Sequence, residues 1–348
     1  MLKDTRISLN YEDVLKIEGQ KILIAPLNWG LGHATRCLPI IDELSVRNEL
    51  IIGSDGLALE WIQHQRPALS YVTLPSYTFR YDSSRMWLNA LRFGPNVISA
   101  IRQETEIIKE IVDQKNIDLI ISDHRLGLYH GHVPSILIAH QLRIPFGTAF
   151  ISKLVSKFQA RYINRFNRCW IPDYNSSRRL SGTLSDLKLN IEKEYIGPLS
   201  RCRRLSKPKK KYDVAIFLSG PEPARTTLEK KLAKLRSWAH LKIILVRGTN
   251  ILRSPEVWEA ASHMEVIDLA DAEMSNRFLN ESAIIISRSG YSTIMDLDSL
   301  EKKAILIPTP GQPEQLYLAK YHQDRWPFVH QEEIGTGRIE HMIHSLSK

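Results

Sequence analysis

The sequence predicts an α/β chain of two doubly wound domains, and three observations carry that prediction. Short apolar runs alternate with helical stretches of amphipathic pattern. The alternation starts afresh after the midpoint of the chain. Between the two series lies a basic stretch with two prolines, PLSRCRRLSKPKKK at residues 198–211, which reads as a linker. With 348 residues the chain can build two full cores.

The first series places strands at residues 21–26, 49–54, 71–75, 117–122 and 135–140, with helices such as 36–47 and 97–113 between them. Runs that are apolar throughout, rather than alternating, belong to parallel strands covered on both faces. The second series places strands at residues 213–219, 242–246, 264–267, 283–287 and 304–307. The expected domains are 1–200 and 201–348, with the last helix able to return to the first domain. Open α/β sheets bind ligands at the C-terminal ends of their strands. Two such domains facing each other are expected to share one cleft.

A hydrophobic share of 43% and a charged share of 24% belong to a globular chain rather than a disordered one. The net charge of +9 favours an acidic partner: nucleic acid, an anionic lipid surface or a phosphate-bearing substrate. No aromatic-plus-basic RNA motif or zinc pattern appears, so nucleic acid is not the expected partner. Cys37, Cys169 and Cys202 lack metal-ligand spacing and leave one thiol unpaired, which fits a reducing compartment. No signal peptide or membrane-spanning run is read. The expected location is the cytoplasm, with the cytoplasmic face of a membrane as the alternative.

The first strand runs into Asn28-Trp29-Gly30-Leu31-Gly32-His33, and a helix follows. Gly30 and Gly32 allow a tight turn and a close approach to a ligand. His33 then sits near a helix N-terminus, whose partial positive charge favours neutral imidazole. Such a ring can accept a proton from a hydroxyl or a water. The plainer reading is a histidine that caps the helix. The third glycine of a dinucleotide fingerprint and the GK[ST] of a Walker loop are both missing.

In the second half, Arg288-Ser289-Gly290-Tyr291-Ser292-Thr293 follows a strand and opens a helix. Free N–H groups and hydroxyls there suit a diphosphate. Asp296 lies one turn beyond Thr293 on the same face and can accept hydrogen bonds from a ribose diol. A Ser/Thr-capped helix would explain the hydroxyls but not Gly290. Two further loops, Ser219-Gly220-Pro221 and the one carrying Glu314 and Gln315, end neighbouring strands. Glu314 and Gln315 offer an acceptor and an amide to sugar hydroxyls. Asp296-Leu297-Asp298 spells DxD, but residues two apart on a helix diverge, so no metal site is read there.

Asp123, at the end of another strand, either orients His33, holds an acceptor hydroxyl or caps the next helix. His140-Gln141 has the same ambiguity. Lys153, Lys157, Arg161 and Arg165 recur every fourth residue beside Leu154, Phe158, Tyr162 and Phe166. The ordinary expectation is an aromatic stripe facing the core beside a solvated basic face. The other is contact with anionic lipid headgroups or a lipid-diphosphate acceptor, with Met86, Trp87, Leu88, Leu91 and Phe93 adding apolar contact.

Together these motifs resemble the GT-B superfamily, two Rossmann-like domains facing across a cleft. The branch in view holds the N-acetylglucosaminyltransferase of lipid II synthesis and the monogalactosyldiacylglycerol synthases. GLGH is similar to that branch's N-domain glycine loop, with His33 in the place of its proposed base. SRSGYSTIMD resembles the donor loop and helix, which puts Thr293 on the diphosphate side and Asp296 at the ribose. IPTPGQPEQ resembles the loop that touches the donor sugar through Glu314 and Gln315. Ser219 and Gly220 match a small-residue turn near the diphosphate. Asp296 stands where the branch has glutamate, and the first loop is poorer in glycine.

The resemblance implies a glycosyltransferase that takes a UDP-sugar, inverts the anomeric centre and needs no metal or other cofactor. It leaves open a glycan or lipid-linked acceptor, a cell-envelope role and peripheral membrane attachment. GLGHATRCL is also similar to a stretch of UDP-sugar hydrolases of nonulosonic acid synthesis, where the same histidine would activate water.

Overall fold

The computed structural model describes residue 14 and residues 16–77, 86–145, 149–206, 208–235, 238–249 and 264–347. The chain divides between Arg203 and Arg204 into two compact units. No described helix is long and apolar enough to cross a membrane.

The first unit is one parallel sheet with helices in the connections. In chain order its main elements are β1 (Lys21–Pro26), α1 (Leu31–Leu44), β2 (Glu49–Ser54), α2 (Gly56–Gln65), β3 (Ser70–Thr73), α3 (Met86–Lys115), β4 (Leu119–Asp123), β5 (Ser135–Ile138), α4 (Ala149–Ile163), β6 (Arg168–Ile171) and β7 (Glu192–Tyr195). The strands lie in the order β3-β2-β1-β4-β5-β6-β7. Every pairing is parallel, for instance Ile24 with Ile52 on one side and with Ile121 on the other. The chain therefore winds outward from β1 in one direction and returns from β4 in the other. The crevice between β1 and β4 is the switch point where such sheets bind ligands.

Two of these strands lie beyond the five expected from the sequence. β6 is only four residues long, and β7 reads EKEY, a charged edge strand with no apolar signature. The linker is also shorter than residues 198–211. Leu199, Ser200 and Cys202 are buried, and the described residues from Arg203 to Lys211 are exposed, because the apolar residues at the start of that stretch find cover.

The second unit holds β8 (Tyr212–Phe217), α5 (Ala224–Ala233), β9 (Ile243–Val246), β10 (Met264–Ile267), α6 (Ala272–Glu281), β11 (Ser282–Ser287), α7 (Tyr291–Ser299), β12 (Lys303–Leu306), α8 (Pro313–Tyr321) and α9 (Arg338–Ser347). Its parallel order is β10-β9-β8-β11-β12, with the switch point between β8 and β11. The last helix packs within the second unit. Ile339 and Ile343 of α9 join Ile284, Ile286 and Ile305 in the core beneath this sheet, so its apolar face is already used there.

Helix α4 reverses the ordinary expectation for its amphipathic pattern. Its inward face is Ser152, Ser156, Gln159 and Ile163, while Leu154 and Phe158 are 61% and 51% exposed. The polar inward face follows from what it meets. Gln159 Nε2 donates to the Gln141 carbonyl (3.0 Å), the Ile144 N–H donates to Ser156 Oγ (3.1 Å), and Ser152 Oγ donates to the Ile144 carbonyl. A loop backbone, not an apolar sheet, needs satisfying there. Phe166, just past the helix, is buried as expected. The side chains of Met86, Trp87, Leu88, Leu91 and Phe93 lie outside the described residues.

Candidate active site

The chain leaves β1 through a turn that only glycine takes easily. Gly30 has φ 81° at the start of α1, in the left-handed region that favours glycine. Gly32 lies inside the first turn of α1 and is not among the positive-φ glycines, so the backbone demands only the first of the pair. Asn28 pins the turn: its Nδ2 donates to Asp55 Oδ2 (3.1 Å) and its Oδ1 accepts from the Ala58 N–H (3.2 Å). His33 is thereby fixed on the first turn of α1, beside the end of β4.

At that end sits Asp123, fully buried, with donors on both carboxylate oxygens. Arg36 Nε donates to Oδ2 at 2.6 Å, and Arg36 Nη2 donates to Oδ1. His33 Nδ1 and His124 Nδ1 stand 3.1 and 3.3 Å from Oδ1, and the Cys37 thiol lies 3.4 Å from Oδ2. Arg36 Nη1 meets His140 Nδ1 at 2.9 Å. Guanidinium can only donate, so that histidine nitrogen accepts and the proton of a neutral His140 sits on Nε2. His124 holds φ 61°, an uncommon conformation for a side chain that bulky. Its ring centroid lies 5.3 Å from those of both His33 and His140.

Burial, and then the Arg36 guanidinium, push His33 down to about 4 from its ordinary 6.5. The ring is neutral at pH 7, as expected from the sequence, but for a different leading reason from the helix terminus. Burial opposes the Asp123 carboxylate; Arg36 and the surrounding donors outweigh it and hold the carboxyl well below its usual range. His33 Nδ1 is 2.9 Å from Arg36 Nη2 as well as 3.1 Å from Asp123. One nitrogen thus faces a donor and an acceptor, and the tautomer decides which bond forms. With the proton on Nδ1 the ring donates to Asp123, and Nε2 keeps its lone pair.

The same shift makes the fold acid-sensitive. The unfolded chain takes up the His33 proton near pH 6.5 and the folded chain only near 4. This contribution is fully present above pH 6.5 and is lost as pH falls towards 4, for a total of roughly 3 kcal/mol. Urea unfolding of His33→Asn should show a flatter loss of stability between pH 6.5 and 4 than wild type. Parallel curves would remove His33 as the cause.

A second buried network fixes the strand ends around the crevice. Arg125, fully buried just after β4, donates to the carbonyls of Pro26 and Pro75 (3.0 Å each), to Glu104 Oε1 (2.8 Å) and to Asp55 Oδ1. Glu104 also accepts from Tyr77 Oη and the Gly127 N–H. A Cβ at Gly127 would come within 2.4 Å of the Ile101 carbonyl, so the chain must pass there as glycine.

His33, Asp123 and His124 also offer ligand atoms within 4.8 Å of one another, a spacing a metal ion can use. Arg36 already occupies both Asp123 oxygens. A divalent cation there would meet a permanent positive charge at hydrogen-bonding distance.

In the second unit, the loops after β8, β11 and β12 gather the remaining expected residues. Ser219 and Gly220 are exposed after β8, and Gly220 has φ 102°. Gly290 is the N-cap of α7, no side chain caps the helix, and Ser292 and Thr293 of its first turn are half-buried. Asp296 is largely buried on the same helix. Glu314 is half-buried in the first turn of α8.

Three residues expected to bind a ligand are also bonded to the loops around them. Arg288 is buried, with guanidinium bonds to Gln331 Oε1 (2.6 Å) and to the carbonyls of Ala224 (2.9 Å), Ile307 (3.2 Å) and Pro308 (3.3 Å). Burial lowers its pKa to about 10. Ser289 Oγ donates to the Gln315 carbonyl (2.8 Å), and Gln315 Oε1 accepts from the Thr309 N–H (2.8 Å). Each fills a backbone need that a buried loop creates. Conversely, Ser287 Oγ and Thr309 Oγ1 are buried without a partner. A Cβ placed on Gly220 would lie 3.5 Å from that Thr309 oxygen. Asp298 of the DxD sequence pairs with Arg325.

Sequence reasoning did not single out Arg36 or His124, and it left His140 undecided. A usable signal was present. Arg36 lies one helical turn beyond His33, so the two share a face and must meet at the same strand end.

The structural relatives share this architecture. The chain aligns with the glycosyltransferase of kitacinnamycin at TM-score 0.62 and 13% identity, covering 94% of this chain and 91% of that one. MurG of Acinetobacter baumannii gives 0.57 and 11%, with 94% and 91% covered. The calicheamicin glycosyltransferase CalG4 gives 0.58 and 11%, with 95% and 90% covered. These likenesses establish the GT-B fold. No curated protein matches the sequence significantly. Residues 226–326 match the glycosyltransferase family 28 C-terminal domain. Fold and domain match together define the class, an enzyme of the glycosyltransferase type.

Proposed function

We propose that the chain transfers a sugar from a nucleotide diphosphate donor of the UDP type to an acceptor hydroxyl. The reaction inverts the anomeric centre and needs no metal. The observation that carries this reading is a neutral His33 held against the buried Asp123–Arg36 pair at the β1/β4 switch point. Asp123 takes the Nδ1 proton as hydrogen-bond partner and fixes the tautomer, in the manner of a catalytic dyad. His33 Nε2 removes the acceptor hydroxyl proton as the oxygen bonds to the anomeric carbon. The bond from that carbon to the diphosphate breaks, and UDP leaves with the electron pair.

The uncapped N-terminus of α7, opened by Gly290, and the hydroxyls of Ser292 and Thr293 meet the diphosphate. The buried Thr309 hydroxyl beside Gly220 adds a donor. Asp296 accepts from the ribose, and Glu314 addresses the sugar. A donor at a hundred times its Kd should stabilise the wild type by ~2.7 kcal/mol. A thermal-shift titration with nucleotide sugars should show a smaller shift for Asp296→Ala. An unchanged shift would remove Asp296 from the ribose site.

Hydrolysis of the donor is the second reading. It is favoured by the convergence of His33, Arg36 and Cys37, all from the GHATRC stretch, on one carboxylate. Full turnover to free sugar without any acceptor decides for water as the nucleophile. Turnover that requires an added acceptor decides for transfer.

A further inference from the structure

Arg36 Nη2 carries two hydrogens. One goes to Asp123 Oδ1, and with Nε on Oδ2 it makes a two-bond grip on the carboxylate. The second hydrogen has two ring nitrogens within reach, His33 Nδ1 at 2.9 Å and His124 Nδ1 at 3.1 Å. Asp123 Oδ1 stands beside the same two nitrogens, 3.1 Å from His33 and 3.3 Å from His124. The two histidine side chains are only 14% and 15% exposed, so each Nδ1 needs its partner within the cluster.

One hydrogen cannot serve both rings, and a nitrogen that accepts from the guanidinium cannot also donate to the carboxylate. The two neutral rings therefore take opposite tautomers. In one arrangement His33 donates to Asp123 and His124 accepts from Arg36, both across 3.1 Å. In the other His33 accepts at 2.9 Å and His124 donates across 3.3 Å, beyond the usual span of such a bond. Only the first keeps both bonds in range. We propose that His124 is a positioning residue that sets the tautomer of His33. By taking the Arg36 hydrogen on Nδ1, it leaves His33 to donate to Asp123 and to keep a lone pair on Nε2. The backbone turns through φ 61° at His124, directly after Asp123, and the ring comes back to its neighbour's carboxylate. On the other side Arg36 Nη1 meets His140 Nδ1 at 2.9 Å, which fixes the guanidinium plane. The consequence for turnover rests on the reading of His33 as the base; the tautomer itself does not.

The test is nitrogen NMR of the full chain labelled at histidine, at about pH 8, where an ordinary imidazole is neutral. The ring shifts read which nitrogen holds the proton, and His33→Asn and His124→Asn assign the two signals by removing them. Wild type should show His33 protonated on Nδ1 and His124 on Nε2. His124→Gly suits the positive φ and should move His33 to the Nε2–H form. It should also lower kcat by about tenfold or more with the donor KM unchanged, the mark of a base in the wrong tautomer. His124→Asn offers an acceptor oxygen in place of Nδ1 and should restore the His33 tautomer and most of the turnover. Any other pair of tautomers in wild type would overturn the proposal, and that comparison stands even if a variant fails to fold. A His33 tautomer left unchanged by His124→Gly would overturn it as well. A tautomer that shifts while kcat does not would uphold the positioning role and withdraw His33 as the base.

Discussion

His33→Ala should lose turnover by roughly 10²- to 10⁴-fold, the range a positioned general base supplies, while keeping its nucleotide-sugar-induced thermal shift. The two readouts separate because they depend on different residues. Donor contacts are assigned to the loops after β8, β11 and β12, whereas His33 stands on α1 beside Asp123. The fold should tolerate the change, because Arg36 still neutralises Asp123 through its Nε and Nη2 bonds. In the wild type, kcat/KM should fall on the acid side as the ring protonates, near pH 4 in the free enzyme. Wild-type turnover in His33→Ala would withdraw the histidine from the chemistry. Loss of the thermal shift along with turnover would mean that the ring also holds the donor.

Arg125→Met should destabilise the first unit by about 3–5 kcal/mol, the usual consequence of removing one partner of a buried ion pair. The variant would strand two carboxylates, Glu104 and Asp55, which are 0% and 5% exposed. It would also release the Pro26 and Pro75 carbonyls, both at strand ends that shape the crevice. Burial already raises the Glu104 pKa with Arg125 in place. Without the guanidinium, Glu104 should bind a proton at still higher pH. The deficit against wild type should therefore shrink as pH falls. Adding Glu104→Gln should recover part of the loss at neutral pH, since an amide carries no stranded charge. Urea midpoints of the single and double variants check both points. A loss under about 1 kcal/mol would mean that the network is dispensable.

The two assignments differ in how well the sequence exposed them. Strands β1, β2 and β10 appear in the structure with the limits read from the sequence, and in β1 and β2 the apolar runs reflect burial on both faces. The glycine turn and His33 were legible for a similar reason: a strand, a turn and a helix in immediate succession fix where the ring must lie. β7 was not legible, since an edge strand of charged residues looks like a loop. Arg288 and Gln315 carry the right chemistry for a ligand, and only the tertiary contacts show that they also bond loop carbonyls and an amide.

By itself, the sequence determined the local elements, their parallel character, the restart that makes two units and the position of His33. These rest on periodicity and on backbone limits that act over a few residues. Only the tertiary structure decided which side chains meet. Arg36, Asp123, His124 and His140 come from two separate strand ends and a helix. The same holds for the outward apolar face of α4, whose pattern fits either a core or a surface. Periodicity fixes that such a helix has two unlike faces. What packs against them is set by distant segments, here a loop whose unsatisfied backbone drew the polar face inward.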